Sequence, residues 1–233
     1  MRKILITGAS RGIGRSIAEK LLLEGNQLSL GIRNLSCLEN SKLDPNLNEN
    51  VLLSEYEARN KESLARWVQK TKSKFGSIDT VIHCAGIFHR TNLLFSDEEE
   101  YQINELWETN VLGPWLLTRE VWKELKRNKN SRVITLISMS GKRSKSNLAG
   151  YTATKFALMG LCQTMRNEGW DSGIRVTTIS PGWVNTDMAK DIKIIDKNQM
   201  TQPKDIASIV ATVLKLPNTC IPFDISVNCN LEK

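Results

Sequence analysis

Ile4-Leu5-Ile6-Thr7-Gly8-Ala9-Ser10-Arg11-Gly12-Ile13-Gly14 is a short aliphatic run followed by three closely spaced glycines. Behind it, residues 13–24 carry a helical period, with Ile17, Ala18, Leu21 and Leu22 on one face. The segment therefore predicts a strand, a tight turn and an amphipathic helix. Glycine permits such a turn and lets backbone N–H groups approach a pyrophosphate, which the positive end of the helix stabilises. Gly8-Ala9-Ser10-Arg11-Gly12 also fits the nucleophile elbow of a hydrolase. That arrangement needs strands and an oxyanion loop ahead of its serine and a histidine late in the chain. Here nine residues precede Ser10, and the two histidines, His83 and His89, lie far from the C-terminus, so the hydrolase is set aside.

The alternation continues along the chain. Strand-like runs recur at Gln27 to Ile32, Val51 to Ser54, Thr80 to Ala85, Arg132 to Ser138, Ile174 to Ser180 and Ile221 to Val227. Stretches of helical period separate most of them, such as Lys61 to Phe75 with Leu64, Trp67 and Val68. Strand and helix in alternation mean a parallel sheet, because parallel neighbours need a crossover that a helix usually supplies. The expected fold is α/β: a doubly wound, mainly parallel seven-stranded sheet with about six helices on both faces, Rossmann-like. A chain of 233 residues buries about three quarters of its extended surface without staples. With no repeat, low-complexity tract or Pro/Ser-rich linker, residues 1–233 are expected to form one domain.

Composition narrows the partners. Thirty-two basic against twenty-five acidic residues give +7, which favours anionic ligands. The cations are dispersed and no recognition motif or stacking aromatic cluster accompanies them, so a nucleic-acid partner is not expected. Five scattered cysteines (Cys37, Cys84, Cys162, Cys220, Cys229) without a CxxC pair suggest neither a disulfide framework nor a zinc site, and fit a reducing compartment. Met1-Arg2-Lys3 mimics the start of a signal peptide, but only Ile4 to Ile6 follow before polar Thr7. No stretch approaches the roughly 18 apolar residues of a membrane span, and a cytoplasmic location is expected.

In open sheets of this kind ligands bind beyond the carboxyl ends of the strands. The chemically loaded residues fall there: Gly8 to Gly14, Arg33, His83 to Gly86, Ser138 and Pro181-Gly182. Tyr151-Thr152-Ala153-Thr154-Lys155 puts a phenol and an ammonium four apart, on one helical face. Alone, such a pair is usually a rim tyrosine and a solvated lysine; its company at the sheet edge makes it a candidate. A free phenol, with a pKa near 10, is a poor proton shuttle at neutral pH, and Lys155 is expected to lower it. The Ser138 hydroxyl is placed to hydrogen-bond a substrate oxygen as charge develops on it. No metal is expected: His83 has one other histidine nearby and no ligand spacing, and reads as a packed or backbone-bonding residue.

Together these pieces resemble the short-chain dehydrogenase/reductase family in its compact single-domain branch, over nearly the whole chain. The matching stretches are Thr7-Gly8-x3-Gly12-x-Gly14, Cys84-Ala85-Gly86, Asn110 within Glu108-Thr109-Asn110-Val111, Ser138, Tyr151-x3-Lys155 and Pro181-Gly182-x3-Thr186. The resemblance implies hydride transfer between a nicotinamide and a small carbonyl or alcohol substrate. Tyr151 would be the acid or base, Ser138 would orient the carbonyl, Lys155 would also bind the nicotinamide ribose, and Asn110 would hold a relay water that reaches Lys155. Cofactor contacts fall on Gly8, Ser10, Arg11, Gly12, Ile13, Gly14, Arg33, Glu57, Cys84, Ala85, Gly86, Tyr151, Lys155, Pro181, Gly182, Val184 and Thr186. Glu57 stands where many relatives carry an adenine-facing Asp, and His83-Cys84 replaces their Asn-Asn. Ile137 replaces a serine common before the catalytic one. The alternative is a non-catalytic NADP-binding sensor that keeps the fold.

NADP(H) is expected over NAD(H). The second strand ends Gly31-Ile32-Arg33, with Ile32 where an NAD site wants an acid, and Arg33 and Arg11 offer guanidinium groups to a 2′-phosphate. Lys142, Arg143 and Lys145, between Ser138 and Tyr151, suggest an acidic group on the substrate, with Lys190 and Lys193 in a second loop partly offset by Asp187 and Asp191. Trp67, Trp107, Trp115 and Trp122 are expected to pack, whereas Trp183, Met188, Phe88 and His89 would wall the substrate. The C-terminal stretch Ile221 to Lys233 lacks the glycine-rich close of tetrameric relatives, which leaves a homo-oligomer open.

Overall fold

Every aliphatic run forms a strand in the computed structural model, which describes residues 1–229. The strands are β1 (Lys3–Thr7), β2 (Gln27–Ile32), β3 (Val51–Glu55), β4 (Thr80–His83), β5 (Ser131–Leu136), β6 (Ile174–Pro181) and β7 (Asp224–Val227). They make one sheet in the order β3-β2-β1-β4-β5-β6-β7, with every pairing parallel. The helices among the described residues are α1 (Gly12–Leu23), α2 (Lys61–Phe75), α3 (Glu100–Trp107), α4 (Gly113–Arg127), α5 (Ala149–Gly169) and α6 (Pro203–Lys215).

Side chains alternate across each strand, and the core divides accordingly. Ile4 and Ile6 join a cluster with Ile17 and Leu21 of α1 and Ile206 and Val210 of α6. Leu5 joins another with Leu64 and Trp67 of α2, Leu117 and Val121 of α4, and Leu158 of α5. Each fully buried aliphatic side chain contributes roughly 1.5–3 kcal/mol, so the two-faced burial fixes strand register. Trp67 is fully buried because Gly31 leaves room for its ring, and its indole N–H donates to Ser29 Oγ at 2.7 Å. Trp107 and Trp115, expected to pack, are 39% and 54% exposed instead. On α4 the buried face runs through Leu117, Thr118, Val121 and Leu125, which turns position 115 outward.

Strand order reverses at β1, which pairs with β2 on one side and β4 on the other, Thr7 facing Gly31 and His83. A crevice opens at the carboxyl end of such a reversal. β4 stops at His83, two residues short of the expected run, because the Cys84 and Ala85 amides turn aside to donate to Thr7 Oγ1, each at 3.0 Å. β5 stops at Leu136, leaving Ser138 beyond the strand end.

His83 is buried at the tip of β4, and its Nε2 shares a hydrogen bond with Thr118 Oγ1 of α4 at 3.0 Å. It packs as expected, but bonds a side chain rather than backbone. Burial pushes the imidazole down from 6.5 to about 4. As pH falls below 6.5 the unfolded chain takes up this proton first and the folded chain lags, so stability falls with pH across that window. Near pH 4 the loss from this group reaches about 3 kcal/mol. Urea unfolding of His83→Asn between pH 7 and pH 4 should show an acid slope shallower than wild type by that amount; equal slopes would contradict it.

Candidate active site

The first turn is shaped by what glycine omits. Gly8 has φ +71°, and a Cβ there would sit 2.8 Å from the Ala85 nitrogen; a Cβ on Gly14 would overlap the Gly8 carbonyl. The turn therefore lies flat against the end of β4. α1 begins after Arg11, whose backbone is extended and whose side chain makes no cap, so the first N–H groups of α1 have no side-chain cap. Ser10 and Ile13 are half-buried beside them. The 181–186 segment closes the other side: a Cβ on Gly12 would lie 3.4 Å from Thr186 Cγ2, and Arg11 pairs with Asp187 at 3.3 Å. Pro181 and Val184 are buried, and the Gly182 amide donates to the Val227 carbonyl at 2.8 Å.

Beside this cradle, α5 brings Tyr151 and Lys155 to the end of β5. Both are buried, at 8% and 5% exposure, and Lys155 Nζ lies 5.6 Å from the phenol ring centre. Its ammonium donates to the Leu136 carbonyl at 3.2 Å. Ser138 caps a short turn, its Oγ accepting from the Ser140 amide at 3.1 Å. A Cβ on Gly86 would lie 3.2 Å from Asn110 Oδ1 and 3.8 Å from Lys155 Nζ, so the bare glycine keeps space open beside both.

Asn110 occupies a π-helical stretch, Glu108–Leu112, between α3 and α4. Such bulges often mark functional positions. Pro114 has no N–H and cannot supply the α-helical bond to the Asn110 carbonyl. The side chain is fully engaged: Oδ1 accepts from the Ile87 amide at 2.9 Å, and Nδ2 donates to the Ile87 carbonyl at 3.0 Å and to Thr154 Oγ1 at 3.3 Å.

The wall over the phenol is partly as expected. Phe88 packs edge-on against Tyr151, with centroids 5.0 Å apart at 75°. His89 meets Glu105 at 3.3 Å, and Lys145 lies 4.7 Å from the Trp183 ring centre. Met188 is exposed. Of the cationic loop, Lys142 turns away to Asp224 and Ser226 on β7, which neutralises much of its charge.

Comparison with known proteins settles the family. The model of the short chain dehydrogenase family matches residues 2–196. The chain belongs to this family. Among relatives, an agropine synthesis reductase of Rhizobium rhizogenes is 38% identical over 229 residues, covering 98% of this chain and 53% of that protein. A second agropine synthesis reductase is 35% identical and covered to 49%, so the chain spans about half the length of these relatives. The 3-oxoacyl-[acyl-carrier-protein] reductase FabG of Escherichia coli K12 is 30% identical over 188 residues, 80% of this chain and 75% of FabG. In structure, the alcohol dehydrogenase of Thermococcus sibiricus complexed with 5-hydroxy-NADP superposes with a TM-score of 0.86 at 29% identity, covering 99% of this chain and 97% of that one.

At this site the titration of the buried pair departs from the sequence expectation. Burial pushes the Tyr151 phenol up to about 12, opposed by the Ser138 hydroxyl, and pushes the Lys155 ammonium down to about 8. The phenol is raised rather than lowered because desolvation dominates its balance, against only the Ser138 hydrogen bond. Cys84 is likewise raised to about 12 and is a thiol at neutral pH.

The two outlying candidates sit apart. Arg33 is exposed just past β2, and buried Ile32 ends that strand. Glu57 is held by Arg59 at 3.5 Å, and Arg59 also reaches Glu105 and Glu108 at 3.6 and 3.7 Å. Sequence reasoning gave no role to Thr7, Thr154 or Thr91. Each acts through a hydroxyl bonded across 44 to 78 residues, and threonine in or beside a strand or helix carries no local signal of that.

Proposed function

We infer that this dehydrogenase catalyses NADP(H)-dependent interconversion of a small carbonyl compound and its alcohol, with Tyr151 as the acid or base. The observation that carries this is the buried Tyr151–Lys155 pair on α5 beside Ser138, at the strand ends next to the glycine cradle. The residues present suit a dinucleotide: the uncapped start of α1 would receive its phosphates, and the missing side chains at Gly8, Gly12, Gly14 and Gly86 leave room for it. When bound, the nicotinamide supplies or accepts the hydride.

Ser138 Oγ donates a hydrogen bond to the carbonyl oxygen and fixes its direction toward Tyr151. A phenol held near 12 is protonated at neutral pH, so Tyr151 enters reduction loaded with the proton that the developing alkoxide takes. Lys155 would stabilise the resulting phenolate and hold the ribose, while Asn110, whose carbonyl cannot receive the α-helical bond from Pro114, would hold the relay water. Pro181, Gly182, Val184 and Thr186 would cover the nicotinamide. The relatives named for reduction support carbonyl reduction as the working direction. Steady-state NADPH oxidation with a panel of ketones and aldehydes tests the assignment, and no turnover with any member would sink it.

NADP(H) is preferred because Ile32 offers no carboxylate to ribose hydroxyls and exposed Arg33 stands next to it. Arg11 is held by Asp187 only through an exposed pair, which costs little to break. NADPH should bind about tenfold or more tighter than NADH, and Arg33→Ala should erase most of that difference. Equal affinities in wild type would contradict the assignment. An acidic substrate has support from Lys145 beside Trp183 and less from Lys142. Exposed Leu112, Trp115 and Phe156 on and beside α4 and α5 favour a homo-oligomer, which sedimentation equilibrium would resolve. Cys37, Cys84, Cys162 and Cys220 form no disulfide, which supports a reducing, cytoplasmic setting. Fractionation of the producing cells decides it. Among the described residues no helix is long and apolar enough to cross a membrane.

A further inference from the structure

We propose that Thr91 is a positioning residue for Tyr151, acting as the N-terminal cap of α5 from 59 residues upstream. The role rests on the hydride-transfer function inferred above. α5 begins at Ala149 after Leu148, whose side chain cannot cap. The first N–H groups of a helix have no intrahelical acceptor, and a Ser, Thr, Asp or Asn at the start normally supplies one. Here one residue from the β4 side supplies two. The Ala149 amide donates to the Thr91 carbonyl at 3.0 Å, and the Gly150 amide donates to Thr91 Oγ1 at 2.9 Å. The Thr91 amide in turn donates to the Asn147 carbonyl at 3.1 Å, and Thr91 forms a bridge with Leu148. Thr91 is 1% exposed, and a Cβ on Gly150 would come within 3.0 Å of its hydroxyl, so the fit is tight.

The next residue in the helix is Tyr151. The cap therefore sets the first turn on which the phenol stands. The same segment also carries Phe88, whose ring packs on that phenol, and its other end is held at Ile87 by Asn110, which reaches α5 through Thr154. Residues 87–91 are thus anchored twice to the catalytic helix, once before the aromatic wall and once after it. Releasing the Thr91 anchor frees both the first turn of α5 and the ring that packs on Tyr151. A displacement of the acid by a fraction of an ångström lowers the rate more than it lowers binding.

The test compares Thr91→Val, which keeps the shape and removes the hydroxyl, with Thr91→Ser, which keeps the hydroxyl. Thr91→Ala replaces the Val variant if that one is insoluble. Turnover of NADPH with an accepted ketone and amide hydrogen exchange across residues 149–152 are both measured. The expected result is a fall in kcat of about tenfold in the Val variant with KM within about threefold, faster exchange in the first turn of α5, and recovery of both in the Ser variant. Unchanged kcat and exchange in the Val variant would overturn the role. So would a Ser variant as impaired as the Val one, because shape rather than the hydroxyl would then be at work. Exchange needs no turnover, so a failure of the cap is distinguishable from a failure of the inferred reaction, which Tyr151→Phe reports separately.

Discussion

Tyr151→Phe should lower kcat at least 100-fold while the Kd for NADPH stays within about threefold. The substitution removes one oxygen and the proton it carries, and leaves the ring that packs edge-on with Phe88. The buried site has no water-exposed substitute, since Tyr151 is 8% exposed and its phenol is held protonated up to about 12. Acid–base assistance is worth roughly 100- to 10,000-fold, so the loss should reach at least the lower figure. Retention of more than about a tenth of the wild-type rate would remove the phenol from the chemistry.

Lys155→Ala should damage both quantities, with kcat down about 100-fold and NADPH binding weaker by about tenfold. Lys155 sits under the phenol, is bonded to the Leu136 carbonyl and faces the space that Gly86 leaves open. Its loss removes the cation beside the phenol, together with the donor we infer for the cofactor. The wild type carries a matching pH signature. With its folded value pushed down to about 8, Lys155 sheds its charge as pH rises through that point, and kcat should fall on the alkaline side there. A kcat flat to pH 10, or an Ala variant with unaltered NADPH affinity, would contradict the dual role.

The fold was legible because its signal is local. Seven aliphatic runs and the intervening helical periods survive in any window of the chain, and each became an element within a residue or two at most positions. The exceptions have long-range causes. β4 ends early because Thr7, 77 residues before Cys84, draws the chain aside, and Trp115 faces outward because the α4 stripe lies elsewhere. At the site, Ser138, Tyr151 and Lys155 were legible as types at a spacing. The titration of the pair was not, since burial of both groups depends on the whole packed edge. Lys142 read as part of a cationic mouth until β7 placed Asp224 against it, 82 residues away in sequence. Asn110 carried a local clue that went unused. Pro114 four residues later breaks the α-helical pattern at its carbonyl.

The most direct test is isotopic. NADPH carrying deuterium at the transferable position of the nicotinamide is incubated with the chain and a panel of ketones and aldehydes, half of them bearing an acidic group, and the products are read by mass spectrometry. The account predicts alcohol products one mass unit heavier than those from unlabelled NADPH, formed by wild type and absent with Tyr151→Phe. A folded chain that binds NADPH yet yields no labelled alcohol from any member, or one whose Phe variant yields as much as wild type, would contradict it.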